Sequence, residues 1–438
     1  MTTARFDPGV LDNDPTRRTT VLRIFEAALA EVDPDRAVRR ALRDWEATMG
    51  VAGVHRDATN VENVWLVAFG KAAPAMARAA VDELKEIEVS GLVISNHGEP
   101  LPDGLELRVT GHPSPDERSV AAARAALDLL HGAGQGDLVL CLISGGGSAL
   151  LELPAAGLRL TDVQATVDAL LSCGSDINEL NTVRKHLSAI KGGRLAQAAD
   201  PAWLFTLILS DVVGNPLDVI ASGPSVPDPT TYEDALAVLD RYDLRYRIPE
   251  AIVDHLRAGK DAMIDETPKT PYPRQVVSIV GDGATAADGA AVAARRAGLP
   301  AVIATTTMTG NARHEAHRCL EAAGRGVTVF AGETTVKVAG KGRGGRNQEA
   351  ALAAAQQLAG DPATVFATLG TDGIDGPTEA AGAIVDGGTI SRGVGLGLDA
   401  DLFLADNDSG TYLQASGDVL VSGPTGTNVG DVWVVMRD

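Results

Sequence analysis

From residue 64 onward the chain repeats one pattern: a short apolar run, a glycine-bearing loop, then an alanine-rich stretch at helical spacing. Strands are expected at 64–69 (VWLVAF), 91–95, 137–143 (DLVLCLI) and 203–209 (WLFTLIL), with helices near 72–86, 116–131, 161–172 and 178–199. Runs that are apolar at nearly every residue suit strands buried on both faces, hence a mostly parallel sheet covered by helices. A second alternation follows, with strands near 276–280 (VVSIV), 301–304, 326–330, 363–369 and 431–436. Between the two, GKDAMIDETPKTPYPRQ (259–275) carries three prolines and no apolar period, as a linker would. Upstream, Val21, Ile24, Phe25, Ala28 and Leu29 recur at helical spacing, and Asp33-Pro34 opens a second helix with Val38, Leu42 and Trp45 on one face. The expected fold is α/β, with two three-layer α/β/α domains. The first, 1–258, is Rossmann-like with a mostly parallel sheet; the second spans 276–438; the active site is expected in the cleft between them.

Composition narrows the function. Glycine supplies 48 of 438 residues and aromatics only 4%, which favours tight ligand-binding loops over a base-stacking surface. With 38 Lys+Arg against 58 Asp+Glu, the net charge of −20 argues against nucleic-acid or membrane-surface partners. The N-terminus MTTARFDPGV lacks a basic and an apolar signal region, and no apolar run approaches the ~18 residues of a membrane span. Cys141, Cys173 and Cys319 make neither a disulfide framework nor a zinc pattern, and Cys141 reads as core packing. A cytoplasmic protein is the expectation.

In α/β sheets ligands bind beyond the carboxyl ends of strands, where glycine loops and helix N-termini present amides to anions. Gly70-Lys71 follows the first strand. Ser144-Gly145-Gly146-Gly147-Ser148 follows the third and suits a phosphate cradle; as a hydrolase nucleophile Ser148 would lack the G-x-S-x-G elbow. Asp211 lies in Ser210–Pro216, where a carboxylate could bind metal, act as a base or simply make a turn. The stretch Gly340–Glu349 sets Lys341, Arg343 and Arg346 among four glycines at a helix start, and Asp372 and Asp375 follow strand 363–369. Half of the eight lysines (Lys71, Lys185, Lys191 and Lys341) fall in these loops or in the helix 178–195, joined by Arg184 and Arg194. Cations so placed in an acidic chain fit a small polyanion, and the neighbouring carboxylates fit a divalent metal. Gly281-Asp282-Gly283 is only a partial dinucleotide fingerprint, and no full G-x-G-x-x-G links a strand to a helix.

The blocks FGKAAPAM (69–76), SGGGSALLELP (144–154), INELNTVRKHLSAIKGGRLA (177–196), LSDVVGNPLDVIASGPSVPDPTT (209–231), GRGGRNQEAAL (342–352), LGTDGIDGPTEAAGA (369–383) and SGPTGTNVGDV (422–432) together resemble the glycerate 2-kinase family, whose members end in a MOFRL domain and some of which are labelled hydroxypyruvate reductases. The resemblance implies transfer of the γ-phosphoryl group of ATP, with Mg2+, to the 2-hydroxyl of D-glycerate or of a related acid such as 2-keto-3-deoxygluconate. It implies Lys71 and Arg346 as catalytic. On that basis Ser144–Ser148, Asp282 and Gly283 are expected to contact nucleotide or substrate oxygens. Arg184, Lys191, Asn215 and Asn347 are expected to hold the acid. Asp211 and Asp372 are expected to hold Mg2+ or accept the hydroxyl proton. An NAD(P)H-dependent reductase and a non-catalytic binder of acidic sugars are the alternatives, and a homo-oligomer is left open.

Overall fold

The computed structural model describes residues 6–43, 61–84 and 87–438; Trp45 and the first five residues lie outside them. The chain divides into two compact units. One comprises Ala37–Ser210 and Asn215–Val280. The other joins the N-terminal segment up to Arg36, the loop Asp211–Gly214 and the chain from Gly281 on.

The first unit carries a six-stranded sheet of β1 (Val64–Phe69), β2 (Val89–Ser95), β3 (Leu105–Val109), β4 (Leu138–Ile143), β5 (Trp203–Leu209) and β6 (Gln275–Gly281), in the order β3-β2-β1-β4-β5-β6. Strands β3 to β5 all pair in parallel. Every β4 residue is buried, Cys141 included, and burial pushes that thiol up to about 12. This is the doubly wound order in which the chain leaves β1 in both directions, so the crevice between the ends of β1 and β4 is the topological switch point. β3, with the polar alternation LELRV, is an edge strand that an apolar-run criterion misses.

The second sheet contains β7 (Ala301–Asn311), β8 (Gly326–Thr335), β9 (Thr364–Gly370), β10 (Gly382–Asp386), β11 (Val419–Leu420) and β12 (Asp431–Arg437), in the order β11-β10-β9-β12-β8-β7. Only β7 and β8 pair in parallel; the pairs made by β12 and β10 are antiparallel. Successive side chains of a strand face opposite ways. Trp433 and Val435 of β12 accordingly join a core with the helices Ala312–Ala322 and Arg346–Leu358. The helices Pro15–Glu31 and Gly283–Arg296 pack on each other and on β12, completing three layers.

Four expectations about organisation change. The N-terminal helix is a layer of the second unit, because fully buried Arg18 bonds the Val10 carbonyl and the carboxylates of Asp386 and Asp418. The segment 259–275 is not a free linker: Thr267 is 1% exposed and bonds Asp228, while Glu266 bonds His186. The strand after it, β6, then completes the first sheet instead of opening the second. The helix expected over 178–199 is broken after His186 and resumes at Arg194, since Gly192 and Gly193 adopt φ of 57° and 84°. No described helix is long and apolar enough to cross a membrane.

Candidate active site

In the first unit the switch point is built from two loops pressed together. Gly70, at φ 128°, leaves no room for a side chain, because a Cβ there would lie 2.1 Å from Ser144 Oγ. The loops are then locked. The Lys71 amide donates to the Gly145 carbonyl (2.9 Å), and the Ala72 amide donates to Ser144 Oγ (3.0 Å). Ser144 is therefore a clamp between loops, 3% exposed, and not a ligand-facing hydroxyl. Gly145, Gly146, Gly147 and Ser148 are different: none of their backbone N–H groups reaches an acceptor among the described residues. A run of unsatisfied amides with Gly146 at φ 86° is the kind of concavity that binds anions. The half-buried Lys71 stands beside it, and its ammonium makes no hydrogen bond or ion pair within the described residues.

Lys191 does not join that ligand set. Its ammonium is fully buried and donates to the carbonyls of Ser148 (2.8 Å) and Leu151 (3.3 Å) and to the Glu152 carboxylate. All three donors are used, so Lys191 fastens the end of the glycine loop. Burial draws its pKa down while Glu152 opposes the shift. Arg184, half-buried on the helix Ile177–His186, makes no guanidinium hydrogen bond to a described residue, and burial likewise lowers its pKa against the pull of Glu152. Asn215 sits in a turn at φ 53°. A further polar pair has no signal in the sequence: Ser148 Oγ lies 3.1 Å from Ser222 Oγ, which donates to Asn181 Oδ1 at 2.8 Å. Ala221 and Ser222 hold positive φ, 50° and 62°, a strained backbone of the kind concentrated at working sites. A cavity of about 830 Å3 elsewhere in this unit, walled by residues such as Leu217, Val226, Pro271 and Tyr272, contains none of the predicted site residues.

In the second unit Arg346 begins the helix Arg346–Leu358. Its Nε and Nη2 donate to the two oxygens of buried Asp431 (2.7 and 3.0 Å), and Nη1 pairs with Glu333 at 2.9 Å. Three of the five N–H groups are thus engaged and two remain. Burial works against the charge, but Asp431 and then Glu333 hold its pKa above the usual arginine value. Asn347, fully buried, is scaffold and not a ligand for the acid: it donates to Asp431 (2.9 Å) and accepts from Trp433 Nε1 (2.7 Å). Asp375 accepts from the amides of Asn347 (3.0 Å) and Gln348 (2.8 Å), capping the helix from a distance. Asp282 caps the helix Gly283–Arg296, accepting from the Thr285 amide and hydroxyl at 2.7 Å. Gly283 is that helix's first residue.

Glu333 senses both candidate metal ligands. Burial raises its pKa, Arg346 opposes, and the charges of Asp431, Asp211 and Asp372 add to the rise. Asp211 also accepts from Asn428 at 3.2 Å. No group of three His, Cys, Asp or Glu among the described residues is arranged to hold a metal. Two carboxylates with hard oxygen donors still fit Mg2+, which commonly takes one or two protein carboxylates together with substrate phosphates.

Burial pushes the Asp375 carboxyl up to about 7 despite the two amides it accepts from. An unfolded aspartate titrates near ~3.9, so the stability its proton confers is present below that pH and is lost as pH rises through about 7. Asp375→Asn should flatten the melting temperature between those limits, as thermal unfolding against pH would show. An unchanged slope would mean that the carboxylate stays ionised in the fold.

Residues 20–257 match a family described as a domain of unknown function (DUF4147), and residues 326–431 match the MOFRL family. A protein of Pyrococcus horikoshii named glycerate 2-kinase is 40% identical over 95% of this chain and 96% of its own length. One of Agrobacterium vitis, named putative hydroxypyruvate reductase, is also 40% identical, over 97% of this chain and 95% of its own. The crystal structure of a glycerate kinase from Thermotoga maritima superposes with a TM-score of 0.86 at 39% identity, covering 97% of this chain and all of that one. By sequence over nearly its full length and by fold, the chain belongs to the glycerate 2-kinase family.

Proposed function

We propose that the chain transfers the γ-phosphoryl group of ATP to the 2-hydroxyl of D-glycerate, giving 2-phosphoglycerate and ADP. The observation that carries this reading is the switch point: four amides without acceptors and a Lys71 ammonium without a partner among the described residues suit a polyanion. It stands in a chain 40% identical to a protein named glycerate 2-kinase. Phosphoryl transfer asks a protein mainly for positioning and for charge facing the transferring group. Lys71 and the Gly145–Ser148 amides supply both in the first unit, and Arg184, which hydrogen-bonds no described residue, offers its guanidinium to a carboxylate. In the second unit Arg346 is held in one orientation by Asp431. Asp211 and Asp372 would hold magnesium, which when bound to the nucleotide neutralises phosphate charge.

A reductase reading is weaker on the same ground. The loop after β1, where a dinucleotide fold places its glycine fingerprint, reads Gly70-Lys71-Ala72-Ala73, too bulky for that close approach of a pyrophosphate. Incubation with ATP, Mg2+ and D-glycerate should release ADP, and EDTA should abolish the release. In parallel, NADH with hydroxypyruvate should not be oxidised. NADH oxidation without ADP formation would replace the kinase reading with the reductase one.

A further inference from the structure

We propose that His112 is the general base of the reaction, taking the proton of the acceptor hydroxyl as that oxygen attacks phosphorus; the inference rests on the kinase reading above. His112 lies just past β3, on a segment tied to the site at two points. The Thr110 amide donates to the Ser95 carbonyl at the end of β2, and Thr110 Oγ1 donates to the Leu150 carbonyl beyond the glycine loop, at 3.0 Å. The imidazole is thereby laid against Gly146: a Cβ built on that glycine would come within 3.0 Å of His112 Cδ2 and Nε2. The ring thus borders the same loop whose amides lack acceptors, and it lies within electrostatic reach of Lys71.

Neither ring nitrogen of His112 hydrogen-bonds to a described residue. Two buried histidines of this unit are occupied by contrast: His186 by the Thr182 carbonyl and Glu266, His255 by the His186 carbonyl. Desolvation by the surrounding loops and the charge of Lys71 both hold the His112 pKa below the usual histidine value, which favours the neutral, proton-accepting ring at neutral pH. Among the described residues Lys71 is the charge that reaches it from a neighbouring loop, and the glycine loop carries none. On its own segment Asp116 is taken up by Arg118 and by the amides of Arg118 and Ser119.

The step balances with ATP as the only co-reactant. The substrate hydroxyl oxygen forms a bond to the γ-phosphorus, and the bond from that phosphorus to the β,γ-bridging oxygen breaks, its electron pair leaving with ADP. The hydroxyl proton passes to an imidazole nitrogen. Because His112 is exposed, it then releases the proton to water and is ready for the next turnover.

His112→Gln and His112→Ala, assayed as full chains with Mg-ATP and D-glycerate, test this. General bases typically contribute 10²–10⁴-fold, so kcat should fall by about 10²-fold or more with both KM values within a few-fold. The acidic limb of the wild-type kcat profile should vanish in His112→Gln, and free imidazole should partly restore His112→Ala. A wild-type kcat in His112→Gln would overturn the proposal. So would a raised KM for D-glycerate at unchanged kcat, which would make His112 a carboxylate anchor. Absence of ADP formation by the wild-type protein would instead overturn the kinase reading itself.

Discussion

Replacing Arg346 with lysine should lower kcat by about 10²-fold or more while KM changes little, because cation clamps in phosphoryl transfer are commonly worth ~10³-fold. The structure explains why lysine is no substitute. A single ammonium cannot span both oxygens of Asp431, pair with Glu333 and still present two donors outward, as the planar guanidinium does. Arg346→Ala should lose at least as much activity and also some stability, because it leaves buried Asp431 with Asn347 as its remaining side-chain donor. Lys71→Ala should match the loss in kcat without that destabilisation, since no described side chain hydrogen-bonds its ammonium. Steady-state kinetics beside thermal unfolding separates these outcomes. A kcat within a few-fold of wild type for both Arg346 variants would remove the residue from the mechanism.

The largest effect on stability should come from Arg18→Met. Arg18 is fully buried, and its guanidinium joins the N-terminal helix to Asp386 and Asp418, which Arg392 also bridges. Removing one partner from a buried ionic cluster typically costs about 3–5 kcal/mol, because the remaining charges stay desolvated. The denaturation midpoint should drop accordingly, with the Asp386 carboxyl held less far below the usual carboxylate range. An unchanged midpoint would show that the helix docks through its apolar face alone.

Much of this architecture can be read in the sequence. Apolar runs such as VWLVAF and LVLCLI are near-uniform because both faces of the first sheet are covered, and they name β1 and β4 almost residue for residue. The glycine loops are legible for the same physical reason they exist: at Gly70 and Gly146 the backbone needs positive φ and close approach. Assignment of elements to units is not legible. VVSIV would fit either sheet, and the partners that bind Arg18 lie some 370–400 residues away.

The site divides similarly. Lys71 follows β1 and Arg346 begins the helix Arg346–Leu358, but a cation beside glycine looks the same in sequence whether it faces a ligand or a buried carboxylate. Lys191 proves to be fastened to two carbonyls and Glu152, and Arg346 is far less solvated than its glycine-rich setting suggests. His112 escaped notice because Gly111-His112-Pro113 after a polar edge strand reads as an ordinary turn; only the packing against Gly146 distinguishes it.

The most direct test of the central claim is the phosphorus NMR spectrum of the wild-type protein after incubation with ATP, Mg2+ and D-glycerate. The account predicts the resonance of a phosphate ester on the 2-hydroxyl growing in step with ADP. A spectrum showing only the 3-phosphate, or no ester at all beside unconsumed ATP, would contradict it.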